Sequence, residues 1–150
     1  MPSLIILAVC ERTILDRENN VSLINLLQGL NVKARPDASQ AVQPLPRNSV
    51  APKDWSIFSF WKPEQEDFEK PFQHVLQVLW PDQTEFKRHT GEVRFAEGKS
   101  QQVAINIVGF PVGQAGDITV NVWLESNSHR VGNVHSWVVK VEYAPNVRNK

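Results

Sequence analysis

Asp117-Ile118-Thr119-Val120-Asn121-Val122-Trp123-Leu124-Glu125 alternates strictly, with Ile118, Val120, Val122 and Leu124 facing one way and Thr119, Asn121, Trp123 and Glu125 the other. A period of two is the mark of a half-buried strand; on a helix the same aliphatics would be spread around the axis. The pattern recurs in Val134–Tyr143, where Trp137, Val139, Val141 and Tyr143 oppose Ser136, Lys140 and Glu142. Between the two runs, Ser126–Asn133 is made of turn formers, which predicts an antiparallel hairpin.

Working upstream, Gln102–Val108 places Val103, Ile105 and Ile107 on a core side. Phe72–Trp80 does the same with Phe72, Leu76, Val78 and Trp80, and stops at the turn signal Pro81-Asp82. The stretch Thr84–Ala96 is less regular and predicts two short strands bent near Thr90-Gly91. Trp55–Trp61 is apolar on both faces apart from its serines, as a central strand would be. Leu4–Leu15 and Val21–Val32 flank the turn Asp16–Asn20 and read as a second hairpin. Leu23, Leu27 and Leu30 also fit a helical spacing, but the turn and the apolar strand before them favour pairing as a strand. The expectation is an all-β chain: one antiparallel β-sandwich domain over residues 1–150, of about eight strands, in an immunoglobulin-like or similar Greek-key arrangement.

Composition narrows the function classes. The 150 residues are 41% hydrophobic and 21% charged, enough to bury a core. Sixteen basic side chains balance sixteen acidic ones, so no overall field draws nucleic acid or an anionic membrane, and neither is expected as a partner. The single cysteine, Cys10, excludes an internal disulfide and a cysteine-rich zinc site. The run Leu4–Cys10 imitates a secretion signal, yet it lacks a preceding basic residue, is too short, and has Val9 where a cleavage site needs a small side chain. It is also too short to span a bilayer. A cytoplasmic location follows as the expectation.

Several segments carry a resemblance. They are Ala8-Val9-Cys10-Glu11, Asn19-Asn20 followed by Ser22-Leu23-Ile24-Asn25, Gly29, and Ala51-Pro52-Lys53-Asp54-Trp55. Val78-Leu79-Trp80-Pro81-Asp82, Gly109-Phe110-Pro111-Val112-Gly113 and Val122-Trp123-Leu124 complete the set. Through them the chain resembles a family of small bacterial proteins defined by a domain of unknown function, which implies no particular activity. More loosely, Gly116-Asp117-Ile118 entering the alternating strand is similar to the end of immunoglobulin-like sandwiches, with Ile118 where many of those carry a corner tyrosine.

Candidate chemistry is sparse. Cys10 lies in an apolar strand, where a free thiol acts as a small hydrophobe, and no sequence neighbour supplies a base. His129 and His135 flank a predicted turn without a third ligand. Asp16, Glu18 and Asn20 alternate oxygen ligands, and Asp82 or Asp117 could join them, but the loop lacks the length and glycine of a calcium-binding helix–loop–helix. The glycines at 109, 113 and 116 sit between strands and shape a loop, with no lysine to make a phosphate cradle. No catalytic residue, metal or cofactor is expected.

Two features remain. Trp123 shares the polar side of its strand with Thr119 and Asn121, so it is either covered within the fold or presented to a partner. The Lys33–Asp54 segment, with Pro36, Pro44, Pro46 and Pro52, is longer than most loops and belongs to a mobile connection or a contact. The reading is a non-enzymatic binding or assembly module using protein–protein contacts or self-association, with Trp123, Asn121 and Thr119 as its binding residues. A metal-dependent or hydrolytic enzyme using His129, His135 or the acidic turns is the alternative, and a carbohydrate-binding module the second.

Overall fold

Among the described residues the alternating segment is the eighth of nine strands. The computed structural model describes residues 1–33 and 45–144. In chain order the strands are β1 Ser3–Leu15, β2 Val21–Leu26, β3 Gly29–Val32, β4 Val50–Lys62, β5 Pro71–Leu79, β6 Glu85–Arg94, β7 Gln101–Pro111, β8 Gly116–Ser126 and β9 His129–Tyr143. A single 3₁₀ turn, Gln65–Asp67, follows β4. The strands form two sheets, β2-β1-β4-β7 and β3-β9-β8-β5-β6, packed as a β-sandwich. All pairings are antiparallel except β3 with β9, which is parallel.

The predicted alternation becomes the inter-sheet core. From the first sheet come Val9, Trp55, Ile57, Trp61 and Ile107; from the second come Phe72, Leu76, Val78, Ile118, Val120, Val122, Val139 and Val141. Fully burying one such aliphatic or phenyl side chain is worth about 1.5–3 kcal/mol, so this layer dominates stability. Trp137 packs at its margin and donates its indole N–H to the Leu27 carbonyl at 2.7 Å.

Three local readings are corrected. The Ser126–Asn133 loop contracts to a two-residue turn, Asn127-Ser128, with φ of 50° and 63°. Two left-handed residues match the twist of a tight hairpin, and the remaining turn formers are absorbed into β9, opposite a register shift between Val122 and Leu124. Thr84–Ala96 makes one strand, β6, because Gly91 keeps ordinary strand pairing opposite His74 and the ladder runs unbroken past it. Val21–Val32 makes two strands: the chain leaves the first sheet after Leu26, buries Leu27 in the core, and joins the second sheet as β3.

Of the Lys33–Asp54 segment, residues 34–44 lie outside the described residues, and Val50–Asp54 belongs to β4. The intervening turn is clamped to the β7–β8 connection. Ser49 accepts from the Val112 amide at 2.9 Å, and Gly113 lies so close that a Cβ there would come within 2.3 Å of the Arg47 carbonyl oxygen. Gly109, at φ 86°, turns the end of β7 and lets its carbonyl accept from the Trp55 indole at 2.9 Å.

Candidate functional site

Thr119, Asn121 and Trp123 project from β8 onto the outer face of the second sheet, beside Val138, Ser136 and, from β5, Val75 and Gln77. Asn121 is tied into a ladder of side-chain hydrogen bonds that crosses four strands. Ser136 Oγ donates to Asn121 Oδ1 at 2.6 Å, and Asn121 Nδ2 donates to Gln77 Oε1 at 3.2 Å. Gln77 Nε2 donates to Glu85 Oε2 at 3.0 Å, and Arg88 donates to the same carboxylate through Nε and Nη2. Those hydrogen bonds, Arg88 first and Gln77 second, hold the Glu85 carboxyl below the usual range.

Arg88 also places its guanidinium 5.6 Å from the Trp123 ring centroid. The indole N–H donates to Glu125 Oε1 at 2.8 Å. Trp123 is only 8% exposed, and its cross-strand partner Val75 is buried beside it. Val122, Trp123 and Leu124 are all buried although they alternate between the two faces of β8, and the β9 register shift lies opposite this stretch. The tryptophan is therefore covered within the fold by its own sheet neighbours.

A second cluster lies between the sheets. His74 faces inward from β5, shares its side with Phe72 and Leu76, and is 2% exposed. Its Nε2 is 3.0 Å from Ser59 Oγ on β4, and Ser59 Oγ accepts from the Trp61 indole at 3.0 Å. The Trp61 ring sits edge-on between His74 and His135. Burial, with a smaller contribution from His89, lowers the His74 pKa to about 4, so the imidazole is neutral. His74 borders a cleft of about 260 Å³ between β6 and β7, whose walls include His89, Glu92, Gln101 and Gln102. Ser59 is itself buried, and the serine and histidine form an internal hydrogen-bonded pair. Sequence reading passed over His74; its signal was its parity with Phe72 and Leu76 in an otherwise apolar row.

A third feature is the β1–β2 arm. Pairing of β1 with β4 ends at Cys10–Ser56, whereas pairing with β2 continues to Leu15–Val21. Beyond Cys10 the hairpin is a two-stranded ribbon. Its root is held by Thr13 Oγ1 to Ser56 Oγ at 2.8 Å and by the Lys53–Glu11 ion pair at 2.8 Å. Asn25, at φ 52°, adds a hydrogen bond to Glu11, and this and the Lys53 contacts pull the Glu11 pKa down. Ile14, Leu15 and Ile24 on this ribbon and Leu26 at its root, opposite Cys10, are all exposed, Leu15 at 57% and Leu26 at 52%.

The remaining candidates have local explanations. Cys10 is buried, with its thiol 3.4 Å from the Arg12 carbonyl. His129 caps its turn through Nδ1 to the Asn127 carbonyl at 2.7 Å, while His135 lies against Trp61, so each has a separate role. Asp16 Oδ1 accepts from the amides of Glu18 and Asn20 at 2.8 Å each, and the Asn20 bonds are the main cause of its lowered pKa. Asp82 is saturated by Thr84, Gln114 and Arg47. Among the described residues, no three His, Cys, Asp or Glu side chains are grouped to hold a metal, and no helix is long and apolar enough to cross a membrane.

Fold and surface together define a β-sandwich with one sheet face crossed by a polar ladder and one hairpin whose pairing continues past the end of the β1–β4 ladder. No protein-family model and no curated protein matches the chain.

Proposed function

We propose that the chain is a non-catalytic binding or assembly module of the bacterial cytoplasm, acting through protein–protein contacts made by the β1–β2 arm. The observation that carries this reading is the exposure of Ile14, Leu15, Ile24 and Leu26 on a ribbon of only two strands. An isolated two-stranded hairpin is marginal in water, and exposed aliphatics on one, here Ile14, Ile24 and Leu26 on one face and Leu15 on the other, favour contact with another surface. β2 is the end strand of its sheet, so the ribbon also offers unpaired backbone groups to an added strand. Self-association is the simplest form of such pairing, since an antiparallel edge can meet its own copy about a two-fold axis. The lone buried thiol supports the cytoplasmic location.

The arm, and not the Trp123 face, is assigned the contact because Trp123, Asn121 and Ser136 already use their polar groups within the ladder. The test is the double variant Ile24→Asp/Leu26→Asp. Both side chains are exposed, so the fold is expected to survive. Light scattering on a concentration series should show the wild type associating and the variant monomeric. Unchanged association in a folded variant removes the arm from the reading.

A further inference from the structure

The cleft between β6 and β7 is bordered by His74, whose buried Nδ1 has no hydrogen-bond partner among the described residues. The Trp61 indole can only donate, so Ser59 Oγ accepts from it at 3.0 Å. The Ser59 hydroxyl proton then has His74 Nε2, 3.0 Å away, as its acceptor among the described residues. With Nε2 accepting that proton, the single ring proton of neutral His74 resides on Nδ1. Nδ1 is buried and has no partner among the described residues. A buried N–H without an acceptor costs about 1–3 kcal/mol, which favours whatever oxygen can reach it.

The surroundings select the kind of oxygen. Glu92 borders the same cleft, so a free anion would meet a like charge, even with Arg94 Nε bonded to Glu92 at 2.7 Å. An amide meets no such penalty. Its carbonyl suits the His74 donor, and its N–H suits Glu92 or a main-chain carbonyl. Among the described residues β6 and β7 are the end strands of their respective sheets, so each brings to the cleft a main-chain edge with no further strand paired to it. An extended backbone satisfies both requirements at once, by adding along an edge while directing one carbonyl inward.

We propose that this cleft is a binding site for an extended peptide segment, with His74 Nδ1–H donating to one peptide carbonyl and a free edge of β6 or β7 pairing with its backbone. Ser59 and Trp61 are positioning residues that hold the imidazole in the donating tautomer. The site is separate from the β1–β2 arm and stands whether or not the arm mediates association.

The experiment is a long-range ¹H–¹⁵N correlation of the imidazole resonances of the full chain, titrated with the blocked tripeptide acetyl-Ala-Ala-Ala-methylamide and, separately, with sodium acetate. The His74 pattern should report the Nδ1–H tautomer. The tripeptide should produce a saturable shift of His74 and His89 that leaves exposed His129 unmoved. His74→Phe, which fills the same volume without a donor, should bind the peptide at least tenfold more weakly. Should that variant misfold, the wild-type tautomer and the two titrations still decide the matter. An Nε2–H tautomer overturns the proposal. So does saturation by acetate with none by the peptide, and so does no saturable shift with either probe, which leaves the cleft to water.

Discussion

Truncating Trp123 separates a packing role from a contact role. The side chain is 8% exposed, shields Val75, receives Arg88 on its face and donates to Glu125. Large-to-small changes of a buried tryptophan cost about 3–5 kcal/mol, and a cation–π contact at a partly exposed site adds about 0.5–1 kcal/mol. Trp123 lies on an outer face, where side chains can partly close the gap, so the lower end applies: Trp123→Ala should cost about 3 kcal/mol. For a chain of this size that lowers the melting temperature by roughly 6–12 °C. Urea unfolding should show the midpoint falling with little change in slope. Thr119→Ala on the same face should stay within about 0.5 kcal/mol. A Trp123→Ala loss below about 1 kcal/mol, with association abolished, would refute the packing argument and return the contact to this face.

Other outcomes can be checked with the same instruments. Gly113→Ala forces a Cβ to within 2.3 Å of the Arg47 carbonyl oxygen, so the 45–49 turn must shift; thermal unfolding should show a loss of about 1–3 kcal/mol. Ser128→Gly relieves a left-handed residue at φ 63° in the β8–β9 turn and should stabilise by about 0.5–1 kcal/mol in urea titrations. The His74 pKa lies near 4 in the folded chain against about 6.5 unfolded, so the unfolded chain takes up the proton first as pH falls. Stability from this residue is complete above about pH 6.5, declines toward pH 4 by roughly 3 kcal/mol in all, and is level below that. His74→Phe should flatten that segment of a stability-versus-pH curve; an unchanged slope would show that His74 is not its source.

Local patterning alone sets the layer structure. Strict alternation in Ile118–Leu124, Val103–Ile107 and Val139–Val141 assigns each aliphatic to one side, because a pleated strand has no other way to bury them. The two hairpins around Asp16–Asn20 and Asn127-Ser128 were legible for the same local reason, since turn residues encode backbone conformations that few others adopt. What lies across the sheet was not legible. That Trp123 is covered depends on Arg88 from β6, thirty-five positions earlier, and on its cross-strand partner Val75 on β5. That His74 is a buried donor depends on Ser59 and Trp61 on the opposite sheet. Even the division of Val21–Val32 into two strands was settled by β9, which receives β3 in parallel. Alternation fixes which side a residue takes; only the packed sheets decide what waits for it there, because those contacts join strands far apart in the chain.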